Sequence, residues 1–234
     1  MLPSLSGARH RRLATAAGPV DLWWHVSPQR PPLRGHALLR HAVAARCARP
    51  AAEVGVVRDR LGRPALAAPE RFPPLRLSAA HSGPVTVAAV LAPPDRGALL
   101  GIDVEHLAAP PSAHLLEFAL SAAERAALAE LPPVLRKSGF LSLWTAKEAV
   151  AKALGWPLLR ALVDVELVLR PRPAVVRLGR DRAPLGWHLL PVHLPGRPHT
   201  ATLALHHRPR PPRLPPHLPP RREQPPWTSP GTSP

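Results

Sequence analysis

Residues 85–105 read VTVAAVLAPPDRGALLGIDVE. Two apolar runs, Val85–Leu91 and Leu99–Glu105, flank a turn at 93–97 that carries Pro, Asp and Gly. The first run is rich in β-branched residues, which suit a pleated, buried surface. The spacing predicts two strands joined as a hairpin. Downstream, residues 137–154, KSGFLSLWTAKEAVAKAL, give the strongest helical signal in the chain, with Phe140, Leu141, Trp144, Val150 and Leu154 on the apolar side. Gly155 and Pro157 are its stop. Ser121-Ala122-Ala123-Glu124 reads as a capping box opening a short helix to about Glu130, which Pro132 and Pro133 end. Beyond the long helix, 163–169, 174–178, 187–194 and 200–206 read as strands of an antiparallel meander.

Upstream, residues 1–32 read as a loosely ordered start with one edge strand at 22–26. Residues 35–47, GHALLRHAVAARC, have helical spacing, and 54–57 suggests a short strand before a turn at 61–64. Each half therefore offers a long helix and several antiparallel strands. The expected fold class is α+β, with two similar subdomains, each an antiparallel sheet packed on a long helix. The expected division is 1–105, 106–207 and a tail at 208–234. That tail is dominated by Pro, Arg and His, then Pro, Ser and Thr, and is expected to be disordered or polyproline-like.

The formal net charge of +16 favours anionic partners such as phosphorylated ligands, acidic protein surfaces or nucleic acid. Lys occurs only three times and Asn and Tyr not at all, so part of that charge reflects a compositional bias toward Arg. Cys47 is the single cysteine, which excludes an intramolecular disulfide and a multi-cysteine zinc site and fits a reducing cytosol. No run approaches the ~20 apolar residues of a membrane helix, and no signal peptide is evident. The expectation is a cytoplasmic protein without a membrane partner.

Three clusters carry candidate chemistry. On a strand, Asp103 and Glu105 project to one face while Ile102 and Val104 face the core. Paired carboxylates suit a hard cation such as Mg²⁺, and equally suit a solvated strand edge. In WTAKEAVAK, Glu148 and Lys152 lie at i and i+4 on one helical face, as a catalytic pair or a surface ion pair. Trp144, one turn earlier, could raise the Glu148 pKa toward the range of a general base. His81 and Ser82, at the start of the first strand, could meet a phosphate. No G-x-S-x-G elbow supports a serine hydrolase.

The order GRP (62–64), AHSG (80–83), GIDVE (101–105) and WTAKEAVAK (144–152) resembles the 4′-phosphopantetheinyl transferase family. The likeness is to its larger, two-lobed type, which activates carrier proteins of secondary metabolism. It covers about residues 34–207. LSAAERAAL (120–128) and the FLSLW lead-in fit the same pattern. The resemblance implies a Mg²⁺-dependent transfer of phosphopantetheine from coenzyme A to a serine of an acyl or peptidyl carrier protein, of the holo-[acyl-carrier-protein] synthase kind. It implies that Asp103, Glu105 and Glu148 hold the metal, that Glu148 also takes the serine proton, and that Lys152 stabilises the pyrophosphate. Arg63, standing where the family has Lys, and His81 and Ser82 would contact coenzyme A. Arg34, His36 and Arg40 are candidates for its 3′-phosphate, with Arg40 carried forward. Ala80 departs from the family by lacking a hydroxyl. An acidic carrier is the expected partner and a monomer the expected state. Two other readings stay open: a degenerate homologue that binds coenzyme A or a carrier without catalysis, and a basic nucleic-acid-binding protein. A metal-dependent phosphodiesterase is a third.

Overall fold

The computed structural model describes residues 5, 7–27, 34–93, 97–106, 110–169, 174–182, 186–195 and 198–207. The expected tail at 208–234 and the middle of the 93–97 turn lie outside them. The described chain runs β1 (Arg9–Leu13), β2 (Val20–Val26), α1 (Gly35–Cys47), β3 (Val56–Arg58), β4 (Pro64–Leu66), β5 (Arg76–Ser82), β6 (Val85–Leu91) and β7 (Leu99–Glu105). It continues through α2 (Ala113–Ala119), α3 (Ala122–Ala129), α4 (Pro133–Leu154), α5 (Leu158–Asp164), β8 (Val165–Val168), β9 (Ala174–Leu178), β10 (Asp181–Arg182), β11 (Trp187–Val192) and β12 (Thr200–His206). The fold is α+β, and every strand pair is antiparallel.

Two sheets dominate, ordered β1-β2-β6-β5 and β11-β12-β7. Period-2 patterning explains how they stack. In β2 and β6, Val20, Leu22, Val85, Val87 and Leu91 face the second sheet, where they meet Ile102, Val104, Leu203 and Leu205 in one dry core. The opposite face of the first sheet, with Ala88 and Val90, packs on Leu38, Leu39, Ala42 and Val43 of α1. Leu189 and Ala204, on the far face of the second sheet, pack with Ala146, Ala149 and Val150 of α4. The order of layers is helix, sheet, sheet, helix. Burying each such Leu or Ile contributes roughly 1.5–3 kcal/mol.

Several sequence expectations change. Val85–Leu91 and Leu99–Glu105 are strands but not a hairpin: β6 pairs with β5 and β2, whereas β7 pairs with β12. The tight hairpin is instead β5–β6, turned at Gly83, whose φ of 54° lies in the left-handed region. The 22–26 strand is interior, because Arg9–Leu13 covers its edge. That outer strand is three arginines, a histidine and one leucine, so no apolar pattern betrays it. Pro133 does not merely end the preceding helix; it is the first residue of α4, where a missing N–H costs nothing. Residues 158–164 form a helix, and the strand expected from 163 begins at Val165. The four C-terminal strands divide between two sheets rather than forming one meander.

Candidate metal and anion site

Strand β7 is buried on both faces. Leu100, Ile102 and Val104 enter the inter-sheet core, while Gly101, Asp103 and Glu105 point the other way, toward α4. Gly101 allows that approach. A Cβ there would meet the Ala149 carbonyl oxygen at 1.9 Å and the Ala153 nitrogen at 2.7 Å. Both contacts are backbone, so no side chain could swing aside. On the helix, Ala146, Ala149 and Ala153 are fully or almost fully buried. Small residues on both surfaces bring α4 down onto the strand. Thr145 fixes its rotation: its hydroxyl donates to the Leu141 carbonyl and bonds the Thr202 hydroxyl at 2.8 Å, one strand from Asp103.

The result is a cluster in which Asp103, Glu105 and Glu148 each present a carboxylate oxygen, all within 4.8 Å of one another. Asp103 is only 2% exposed. Lys152 Nζ donates to its Oδ1 at 2.5 Å and lies 3.7 Å from Glu148. The other oxygen, Oδ2, is buried with no hydrogen-bond partner. Ser82 donates its hydroxyl proton to Glu105 Oε2 at 2.9 Å and accepts the His106 N–H at 3.2 Å. It therefore fixes a carboxylate of the cluster. Burial pushes the Asp103 carboxyl up to about 7; Lys152 opposes this, while Glu148 and Glu105 add to it. Burial likewise raises Glu105, against the Ser82 hydrogen bond.

These acids open into a cleft of about 840 Å³. Lys152 and Trp156 stand beside them, and three arginines, Arg34, Arg58 and Arg63, line the cleft with His36 and His81. Among the residues singled out from sequence, Arg63, His81, Asp103, Glu105, Glu148 and Lys152 share this cleft. Arg40 does not line it; its guanidinium donates to the Ala51 carbonyl at 3.1 Å. Ser82 stands behind Glu105 rather than in the lining. Trp144 packs with Phe140 in the core under α4, at 6.0 Å between ring centroids, and the indole that lines the cleft is Trp156. Arg58 and Trp156 were not marked by the sequence. Arg58 looks like any surface arginine, and Trp156 like part of a helix stop.

The donor set fits a hard divalent cation. It is all oxygen, carries three carboxylates, and includes a buried oxygen without a partner. A lone proton or the Lys152 ammonium can neutralise only part of that charge. Residues 99–204 match the family model of the 4′-phosphopantetheinyl transferase superfamily. This segment is a little under half of the chain, and through it the chain is similar to that superfamily. The matched segment contains all three acids and Lys152, and the superfamily's members are transferases of phosphopantetheine. No curated protein matches the chain. Among the described residues, no helix is long and apolar enough to cross a membrane.

The raised Asp103 pKa sets a pH dependence. In the metal-free protein the folded state binds this proton better than the unfolded chain does. The stability it contributes is present below about pH 4 and lost as pH rises through about 7. A cation must displace the proton. Calorimetric titration with Mg²⁺ or Mn²⁺ should show affinity falling toward tenfold per pH unit below 7, with proton release visible as a buffer-dependent heat. Affinity independent of pH between 5.5 and 8 would remove Asp103 from the ligand set.

Proposed function

We infer that the protein transfers 4′-phosphopantetheine from coenzyme A to a serine of an acyl or peptidyl carrier protein, releasing adenosine 3′,5′-bisphosphate. One observation carries this reading: a cleft with three converging carboxylates at one side and arginines and histidines along the rest. An anionic ligand that carries several phosphates and shares a metal fits both parts. Asp103, Glu105 and Glu148 would hold Mg²⁺, whose charge, when bound, neutralises the pyrophosphate.

The chain's own groups do the rest. Glu148 accepts the proton of the carrier serine, directly or through one water, as that oxygen attacks the β-phosphorus. The bond between this phosphorus and the bridging oxygen breaks, and the pair of electrons leaves with the nucleotide. Lys152 stabilises the charge that builds on the pyrophosphate. Arg63 and His81 hold phosphate oxygens, and Arg34 and His36 remain candidates for the 3′-phosphate. In this reading the chain is the larger two-lobed type, with lobes at 1–105 and 106–207, acting as a cytoplasmic monomer on an acidic carrier drawn by its net charge of +16.

The test is direct. The protein, an apo carrier protein, coenzyme A and Mg²⁺ are mixed, and the carrier is weighed by mass spectrometry. A gain of one phosphopantetheine per carrier is expected, abolished by a chelator. No gain on any of several acyl and peptidyl carriers would overturn the reading.

A further inference from the structure

One wall of the cleft is the β3–β4 hairpin, and its turn, Asp59-Arg60-Leu61-Gly62-Arg63, is organised by a side chain that the chemistry above does not use. Asp59 Oδ1 accepts the backbone N–H groups of Leu61 and Arg63, both at 2.9 Å. Its other oxygen, Oδ2, accepts Arg63 Nε at 2.9 Å and lies 2.8 Å from a terminal nitrogen of the same guanidinium. Arg63 thus meets one carboxylate through its backbone and its side chain together. The other terminal nitrogen donates to the Ala153 carbonyl at 3.3 Å.

That carbonyl belongs to the last turn of α4, where carbonyls lack intrahelical partners and the helix end carries partial negative charge. It lies one residue from Lys152. The same turn touches the helix end a second time: a Cβ on Gly155 would meet the Leu61 Cβ at 2.5 Å. The arrangement is a relay from Asp59 to Arg63 to the end of the helix that carries Glu148 and Lys152.

We propose that Asp59 is a positioning residue for the anion site: by gripping Arg63 from one side it aims the guanidinium across the cleft wall and against the end of α4. The inference rests on the transferase reading, in which Arg63 meets a phosphate of coenzyme A. A free arginine side chain samples many rotamers, and ordering it on binding costs conformational entropy. Asp59 removes that cost before the ligand arrives, as preorganisation does. It leaves the remaining N–H bonds of the planar fork for an anion.

Asp59→Asn separates this role from turn building. An asparagine oxygen still accepts the Leu61 and Arg63 backbone N–H groups, as asparagine does in such turns. Its amide has no second acceptor for the guanidinium. Coenzyme A binding is measured by calorimetry on the full chain with Mg²⁺ present, in the wild type, Asp59→Asn, Arg63→Met and the double variant. The expected result is a five- to tenfold weaker Kd in Asp59→Asn, an unchanged melting temperature, and little further loss when Asp59→Asn is added to Arg63→Met. In turnover, KM for coenzyme A rises and kcat holds. Wild-type or tighter affinity in Asp59→Asn overturns the proposal, as does a loss that adds in full to that of Arg63→Met. A wild type that binds no coenzyme A instead overturns the transferase reading, so the two failures are distinguishable.

Discussion

Glu148→Gln should lower carrier modification by about 10³-fold or more while the protein melts within a few degrees of the wild type. The substitution keeps size and shape and removes one negative charge. On the transferase reading two functions fall together. The amide cannot take the serine proton, a step worth roughly 10²–10⁴-fold, and it is a poorer ligand for a divalent cation. The fold has little reason to respond. Glu148 projects into the cleft beside Asp103 and Glu105, all within 4.8 Å, and among the described residues its one ion pair is the 3.7 Å approach of Lys152. Removing one of three mutually repelling carboxylates relieves the metal-free site. The measurement is the initial rate of carrier mass gain, with thermal unfolding as control. A rate within tenfold of wild type would mean that another group accepts the proton, and Glu105 would then be the next to test.

How much of this was visible in the sequence depends on the distance over which each feature is decided. The acids of GIDVE, and Glu148 and Lys152 of WTAKEAVAK, were legible because local periodicity fixes the face on which each side chain lies. Their convergence also has a local trace, Gly101, although its meaning appears only when Ala149 stands across from it. Strand partners were not legible. Val85–Leu91 and Leu99–Glu105 are close in sequence and both apolar, so a hairpin was the economical expectation. The choice of β12 for β7 is made by packing across 94 and more residues, which no local pattern records. Arg9–Leu13 was hidden for another reason: an edge strand whose charges are exposed or paired with Asp21 carries no alternation. Trp144 was read both as part of the apolar side and as a neighbour of Glu148, because helical spacing gives a face but not what covers it. The covering turned out to be Phe140 and the core beneath α4.

Lys147→Met should destabilise the protein by about 3–5 kcal/mol, the cost of leaving a buried charge without its partner. Lys147 precedes Glu148 yet faces away from the cleft, fully buried. Its ammonium meets Glu124 Oε2 at 2.7 Å and donates to the Ala119 and Leu162 carbonyls at 3.1 and 3.2 Å. Glu124 is equally committed: the same Oε2 closes the capping box on the Ser121 N–H at 2.7 Å, and Oε1 accepts the Leu167 N–H at 2.9 Å. One ion pair therefore joins the end of α2, the start of α3, the body of α4, α5 and β8, and every polar atom in it has a partner. Methionine fills the volume of the lysine stem but leaves a buried carboxylate with two backbone donors and no cation, and takes one donor from each of two carbonyls. Adding Glu124→Gln to Lys147→Met should recover part of the loss, because the amide oxygen can still accept one backbone N–H without a buried charge. Urea unfolding of the wild type, Lys147→Met and the double variant measures both effects. A single-variant loss under 1 kcal/mol would show that water reaches this pair and that the long helix, with Glu148 on it, is held in place by its alanine face on β7 and β12 alone.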